Sequence, residues 1–252
     1  MERPLVPYRA TGAPLAALRV GDLAAGAATL NSPAIPLASF GAELSTGCHA
    51  CAFFEDPEQE YRALLPFAQD CLRCGEQCAH FGSGLREQER FQRFAGYAID
   101  VAGSTASGQL ALRTWEHTYL RGGCFEIEGM LALVAELMRE GRTAFGRTRL
   151  WADMEWSLSG QRGCDRLIEY ESRLNTLLDG GTDVVLCAYD VRKYSASMVM
   201  DVLRTHPMLV VGEHVHPNPL FVPSEQFLFE YRRRGAMRPR AGEGTDPDPA
   251  AG

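Results

Sequence analysis

The stretch from His49 to Tyr61, His-Ala-Cys-Ala-Phe-Phe-Glu-Asp-Pro-Glu-Gln-Glu-Tyr, constrains the fold more than any other part of the chain. Ala50–Phe54 is an apolar run suited to a strand buried on both faces. Asp56 stands where a helix cap belongs, with Pro57 at the first helical position and Gln59 three residues after the cap. Tyr61, Leu64, Leu65, Ala68, Cys71 and Leu72 then recur at helical spacing. Gly75 closes the helix, and a second apolar strand, Gln77–Phe81, follows. This is a βαβ unit at the place where a nucleotide-binding fold carries its phosphate loop. Four carboxylates, Glu55, Asp56, Glu58 and Glu60, occupy that place instead. A helix N-terminus attracts anions, and here its own side chains supply them.

Strands and helices go on alternating. Arg86–Ala98 reads as a helix with Phe91, Phe94 and Ala95 inward, and Leu110–Trp115 as a strand. Ile127, Met130, Leu131, Val134, Leu137 and Met138 mark an amphipathic helix ended by Gly141. Arg149–Trp156 is a strand, Asp165–Leu178 a helix and Val184–Tyr189 a strand of the fully buried type. A helix through Met198, Val199, Val202 and Leu203 stops near His206-Pro207. The strand Met208–Gly212, an edge or hairpin within His214–Phe221, and a helix capped by Ser224 complete the series. Such alternation predicts an α/β fold, a mainly parallel sheet with helices on both faces. Residues 1–44, rich in Ala, Gly and Pro, are expected to be a flexible arm with a short helix possible over Pro14–Leu23. Residues 235–252 are expected to be a disordered tail by composition, leaving 45–234 as the folded domain.

The 252 residues carry a net charge of −7 and a pI near 5.4, which argues against a nucleic-acid surface. No apolar run is long enough to span a bilayer, and no signal peptide is read, so a cytoplasmic chain is expected. In a reducing compartment the eight cysteines are not expected to form disulfides.

In a parallel sheet, ligands bind at the carboxyl ends of the strands. Those ends present Phe54, Glu55, Asp56, His80, Ser83, Trp115, Glu116, Asp153, Glu155, Trp156, Tyr189 and Asp190. Asp153 and Glu155 share one side of their strand and resemble a magnesium-holding pair, but no G-x-x-x-x-G-K-[ST] loop accompanies them. The usual fate of such acids is helix capping or pairing with arginine. Glu171 falls beside Leu167, Tyr170 and Leu174 on the apolar side of its helix, where a carboxylate needs a partner or a raised pKa. It reads either as a ligand-sensing group or as a satisfied structural acid.

Cys48-x-x-Cys51 and Cys71-x-x-Cys74 match a zinc spacing on paper, but each pair begins or ends inside regular structure rather than in a tight turn. His49 and Cys51 face one way on their strand, as do Cys78 and His80 on theirs. Were the strands neighbours, these four would make a soft-metal or redox cluster, although buried cysteines are more often packing residues. His206 at a helix end suits the helix dipole or a ligand role. No G-x-S-x-G elbow or Ser-His-Asp set is evident.

Several segments together carry a family resemblance. They are His49-Ala-Cys-Ala-Phe-Phe, the acidic turn into Glu60-Tyr61, Leu64-Leu65-Pro66-Phe67, Gly75-Glu76-Gln77-Cys78, Asp153-Met-Glu155-Trp156, Tyr170-Glu171, Cys187-Ala-Tyr189-Asp190, His206-Pro207 and Asn218-Pro219. From about His49 to Tyr231 the chain resembles the MEDS domain, the methanogen/methylotroph sensory domain named for a dichloromethane-responsive repressor. The resemblance implies a RecA-like or circadian-clock-ATPase-like three-layer core without a phosphate loop. It also implies a signal-input role, proposed for small organic or hydrocarbon-like compounds. Relatives often join the domain to a histidine kinase or a helix-turn-helix domain. Neither is read here, so output through a kinase or transcription-regulator partner is expected. Cys48, Cys71, Cys74 and Cys164 are additional to the family's pattern.

The leading expectation is a sensory module, more a binder than an enzyme, that needs no cofactor. A small organic molecule would enter a strand-end crevice walled by Phe53, Phe54, Tyr61, Trp115, Trp156 and Tyr189. His49, Glu155, Glu171, Asp190 and His206 would orient it. Self-association remains open. The alternative is a metal-binding or redox protein using His49, Cys51, Cys78 and His80.

Overall fold

The computed structural model describes residues 35–40 and 47–236. Among them eight strands form one sheet: β1 Ile35–Pro36, β2 Cys48–Phe54, β3 Gln77–Gly82, β4 Leu110–Thr114, β5 Thr148–Asp153, β6 Val184–Asp190, β7 Met208–Val211 and β8 His214–Pro217. Their order is β1-β8-β7-β2-β6-β5-β3-β4. The six strands from β7 to β4 run parallel, and β8 is antiparallel to both β7 and β1. The expected hairpin after Gly212 is therefore present. Ile35–Pro36, inside the segment expected to be an arm, adds the edge strand beside β8. Pro14–Leu23 and residues 237–252 lie outside the described residues.

Among the described residues seven α-helices cover the sheet: α1 Pro57–Arg73, α2 Glu87–Gly96, α3 Val101–Ala106, α4 Ile127–Phe145, α5 Leu167–Leu178, α6 Ala196–Thr205 and α7 Ser224–Ala236. They make two apolar layers. On one face, Tyr61, Leu64, Phe67 and Ala68 of α1 and Phe94 of α2 pack on Ala50, Ala52, Phe54, Trp151, Leu186 and Ala188. On the other, Val134, Leu137 and Met138 of α4, Tyr170 and Leu174 of α5 and Phe227 of α7 pack on Cys51, Phe81, Leu150, Val185, Cys187 and Tyr189. Both faces of the central strands are covered. This is why β2, β5 and β6 read as continuous apolar runs rather than as alternating ones.

The start of α1 follows its sequence signature. The Asp56 carboxylate accepts from the Gln59 backbone N–H at 2.7 Å, and the Gln59 side chain accepts from the Glu55 N–H at 2.7 Å. Reciprocal capping of this kind satisfies two otherwise orphan donors.

Several boundaries differ from expectation, each for a local reason. α4 runs past Gly141 to Phe145 and ends at left-handed Gly146. Gly141 is a packing glycine, because a Cβ there would collide with the Thr148 hydroxyl. The strand expected to reach Trp156 ends at Asp153, whose side chain accepts from the Glu155 N–H and starts a 3-10 turn, Met154–Leu158. Asp153 and Glu155 consequently do not share a strand face. α2 buries Phe94 and Arg90, whereas Phe91 and Ala95 face solvent. α3, capped by Asp100, was not foreseen, because Val-Ala-Gly-Ser-Thr-Ala has little apolar periodicity.

Among the described residues no helix is long and apolar enough to cross a membrane.

Candidate functional site

The centre of the molecule is built by β2 and β6, which pair in parallel with His49 opposite Val185, Cys51 opposite Cys187 and Phe53 opposite Tyr189. Alternation turns His49, Cys51 and Phe53 to the same face as Cys187 and Tyr189, under α5. On α5, Glu171 and Asn175 are one helical turn apart and look down on this face. His206 arrives from the end of α6, immediately before β7.

Four ionisable groups converge there, all essentially without solvent access. His49 Nε2 lies 3.1 Å from Glu171 Oε2, and His206 Nε2 lies 3.4 Å from the same oxygen. Cys187 Sγ is 3.4 Å from His49 Nε2 and 3.6 Å from Glu171 Oε2. The two imidazole centroids are 3.9 Å apart. One ligand-capable atom from each of His49, Glu171, Cys187 and His206 lies within 4.8 Å of all the others.

Each group is also held from behind. The Tyr189 hydroxyl donates to Glu171 Oε1 at 2.6 Å. His49 Nδ1 meets Asn175 Oδ1 at 3.1 Å, and the Asn175 amide donates to the Thr205 carbonyl at 2.7 Å. His206 Nδ1 lies 2.8 Å from the Val202 carbonyl. Both Nδ1 atoms face oxygen acceptors and both Nε2 atoms point into the cluster, where a proton on Nε2 donates to Glu171 and a proton on Nδ1 alone leaves Nε2 a lone pair.

The electrostatics follow from burial. Desolvation pushes the Glu171 carboxyl up, but His206 and His49 outweigh it and hold it below the ordinary carboxylate range. Burial and the neighbouring His206 lower His49 to about 4, against the pull of Glu171. Burial, reinforced by the Glu171 charge, raises the Cys187 thiol and the Tyr189 phenol.

The flank of this cluster is reached from outside. A hollow of about 750 Å³ is lined by His49, Asn175, Leu178, Pro207, Phe221 and Pro223. It opens beside Gly47, where β2 begins, which is the opposite end of the sheet from the expected crevice.

The residues expected to wall one strand-end crevice divide between the two faces. Phe54 and Tyr61 belong to the α1 layer, and Phe53, Trp115, Trp156 and Tyr189 to the α5 layer. Trp156 is sealed between Tyr119 and Phe125, and Tyr61 packs edge-on to Trp151. Glu155 pairs with Lys193 at 2.7 Å and Arg86 at 3.4 Å, and Asp190 pairs with Arg192 at 3.1 Å. Of the eleven residues named from sequence, His49, Glu171, Tyr189 and His206 come together, with Phe53 stacked on Tyr189 at 5.7 Å.

The alternative set does not assemble. His49 and Cys51 face α5, whereas Cys78 and His80 lie on the α1 side, and β6 and β5 separate the two strands. His80 is a satisfied core histidine, with Nδ1 3.1 Å from the Trp151 carbonyl. The Cys48/Cys51 and Cys71/Cys74 pairs are likewise split, with Cys51 on the α5 side, Cys48 and Cys71 in the α1 layer and Cys74 at the surface. Cys187 and Asn175 were missed. The signal available was the two-residue spacing of Cys187 and Tyr189 and the four-residue spacing of Glu171 and Asn175.

Nothing resembles a phosphate cradle where β2 meets α1. The connection is only Glu55-Asp56, too short to offer the run of backbone N–H groups that such a nest requires. Behind it, Glu60 accepts from the Trp151 indole at 2.8 Å and lies near Asp153. Burial chiefly raises Asp153 from 3.8 to about 7, and burial followed by the Asp153 charge raises Glu60. A carboxyl that binds its proton more tightly when folded stabilises most below its unfolded pKa, and that contribution is lost as pH rises through the folded value. Stability should therefore fall between about pH 4 and pH 7 on account of this group. Asp153→Asn should flatten that slope in urea unfolding measured across the window. An unchanged slope would place the charge elsewhere.

A family model, the MEthanogen/methylotroph, DcmR Sensory domain (MEDS), matches residues 48–207. The chain is 25% identical over 176 residues to the transcriptional repressor DcmR of Methylorubrum extorquens, an alignment covering 66% of this chain and 60% of the repressor. Among solved structures it is similar to a KaiC-like protein of Pyrococcus horikoshii OT3, at 14% identity and a TM-score of 0.49, covering 65% of this chain and 71% of that one. It is also similar to the flagellar accessory protein FlaH of Methanocaldococcus jannaschii, at 13% identity and a TM-score of 0.47, covering 75% and 83%. The match over residues 48–207, more than half of the chain, shows that the chain belongs to the MEDS family of sensory domains.

Proposed function

We propose that the domain is a signal-input module that recognises a small, uncharged organic molecule beside the His49–Glu171–Cys187–His206 cluster and passes the signal to a regulatory protein. The carrying observation is the cluster itself. A carboxylate, two imidazoles, a thiol and a phenol are held together in the core, next to an open hollow floored by His49 and Asn175. Core positions ordinarily avoid such groups because of their desolvation cost, and concentrations of perturbed groups mark functional sites. Leu178, Pro207, Phe221 and Pro223 give a neutral guest an apolar wall, and the carboxylates of Asp179 and Glu225 on the same lining disfavour an anion. The family match and the similarity to a transcriptional repressor support a regulatory output. α6 and α7, which pack on α5 and sit beside His206 and the hollow, are the elements whose position a guest would bias.

Thermal-shift and calorimetric titration of the purified chain test this. Dichloromethane, methanol and short-chain alkanes form one panel, and ATP with Mg²⁺ the comparison. A ligand at a hundred times its Kd stabilises by about 2.7 kcal/mol. For a domain of this size that is a rise of roughly 5–10 °C. Stabilisation by a neutral compound, lost in Asn175→Leu, is the expected result. Stabilisation by MgATP alone would overturn the reading.

A further inference from the structure

We propose that His49 Nε2, His206 Nε2, Glu171 Oε2 and Cys187 Sγ are the four ligands of a tetrahedral divalent transition-metal site, with zinc the ion the donor set fits best. This goes beyond the sensory reading and stands whether or not an organic molecule binds.

The distances match those between the ligands of a tetrahedral coordination shell. Bonds of about 2.0–2.1 Å to nitrogen and oxygen and 2.3 Å to sulfur give a tetrahedron with edges of about 3.3–3.6 Å. Four of the six edges are 3.1, 3.4, 3.4 and 3.6 Å, and the other two, from His206 to His49 and to Cys187, lie within 4.8 Å. Charge-assisted hydrogen bonds to the same carboxylate would be shorter, about 2.7–2.9 Å. Glu171 does make one short bond, through its other oxygen, to Tyr189 at 2.6 Å. His206 Nε2 is fully buried, points at the cluster and finds no hydrogen-bond partner there. A metal supplies what that nitrogen lacks.

The surroundings have the form of an outer ligand shell. Metal-bound histidines characteristically donate the other ring N–H to a carbonyl or carboxylate. His206 does so to Val202 and His49 to Asn175, which is fixed in turn by Thr205. Tyr189 orients the carboxylate. Charge also balances. One carboxylate and one thiolate neutralise a dication, leaving no net charge in a site closed to solvent. Mixed imidazole, thiolate and carboxylate donors select zinc over the hard cations magnesium and calcium. On binding, the Cys187 S–H bond is replaced by a sulfur–metal bond and one proton leaves to solvent, so affinity should rise with pH.

Metal analysis and cobalt substitution of the full chain test the proposal. Protein purified without chelator should carry about one zinc per chain. Removal of that zinc and addition of Co²⁺ should produce the intense visible bands of tetrahedral cobalt and a near-ultraviolet thiolate-to-cobalt band. Cys187→Ser should abolish the thiolate band, whereas Cys78→Ser, on the opposite face of the sheet, should leave it intact. Asn175→Ala should weaken zinc binding about 10–100-fold. If Cys187→Ser does not fold, X-ray absorption of the wild-type zinc protein should show one sulfur and three nitrogen or oxygen neighbours. Wild-type protein that neither retains nor takes up zinc or cobalt would overturn the assignment. So would a thiolate band surviving Cys187→Ser, or a shell with no sulfur or several. Organic compounds that stabilise a chain found to bind no zinc would leave the sensory reading standing while the metal reading fails.

Discussion

Replacing Glu171 by alanine in chelator-treated protein should lower the unfolding free energy by about 3–5 kcal/mol. The carboxylate is fully buried and is the common partner of His49, His206 and Tyr189. Its removal leaves the Tyr189 hydroxyl without its acceptor and the two imidazoles without their carboxylate, and empties the space that it filled. Glu171→Gln keeps the volume and an acceptor for Tyr189, so its cost should be smaller, roughly 1–3 kcal/mol. Urea unfolding followed by circular dichroism separates the two. A loss under about 1 kcal/mol for the alanine variant, the range of a solvated ion pair, would mean that water already reaches the cluster.

Trp156→Ala should cost a comparable amount, about 3–5 kcal/mol, or a fall in Tm of at least roughly 6 °C. The indole is completely buried, stacked on Tyr119 at 4.5 Å and a 9° interplanar angle and packed on Phe125 at 4.3 Å. Its N–H has no hydrogen-bond partner. Trp156→Phe should therefore lose under about 1.5 kcal/mol, since the ring stack survives and an unsatisfied donor disappears. If phenylalanine is as damaging as alanine, the indole nitrogen has a role that packing does not explain. If neither variant is destabilised, Trp156 faces solvent and the strand-end crevice is open after all.

These two positions show how differently the sequence speaks about single residues. Glu171 is conspicuous without any structure, because a carboxylate interrupts an otherwise apolar helical stripe and burial of a charge is costly wherever it happens. Trp156 is not. An aromatic residue beyond a strand looks the same whether it walls a pocket or fills a core, and only the early end of β5 at Asp153 and the approach of Tyr119 and Phe125 decide between them.

Capping and periodicity act over a few residues. Asp56-Pro57-Gln59 therefore specifies the start of α1, and β/α alternation the class of sheet, from the chain alone. Side-chain alternation likewise places His49 with Cys51, and Cys78 with His80, on common strand faces. Which faces then meet depends on strand order. The sequence carries no local signal that β6 and β5 come between β2 and β3, or that Cys78 and His80 look toward α1 while His49 and Cys51 look toward α5. The buried strands are apolar on both sides, so their pattern is silent about orientation. Tertiary packing alone brought Cys187 from β6, Glu171 from α5 and His206 from the end of α6 to His49, because residues up to 157 positions apart along the chain become neighbours only when both helical layers close on the sheet.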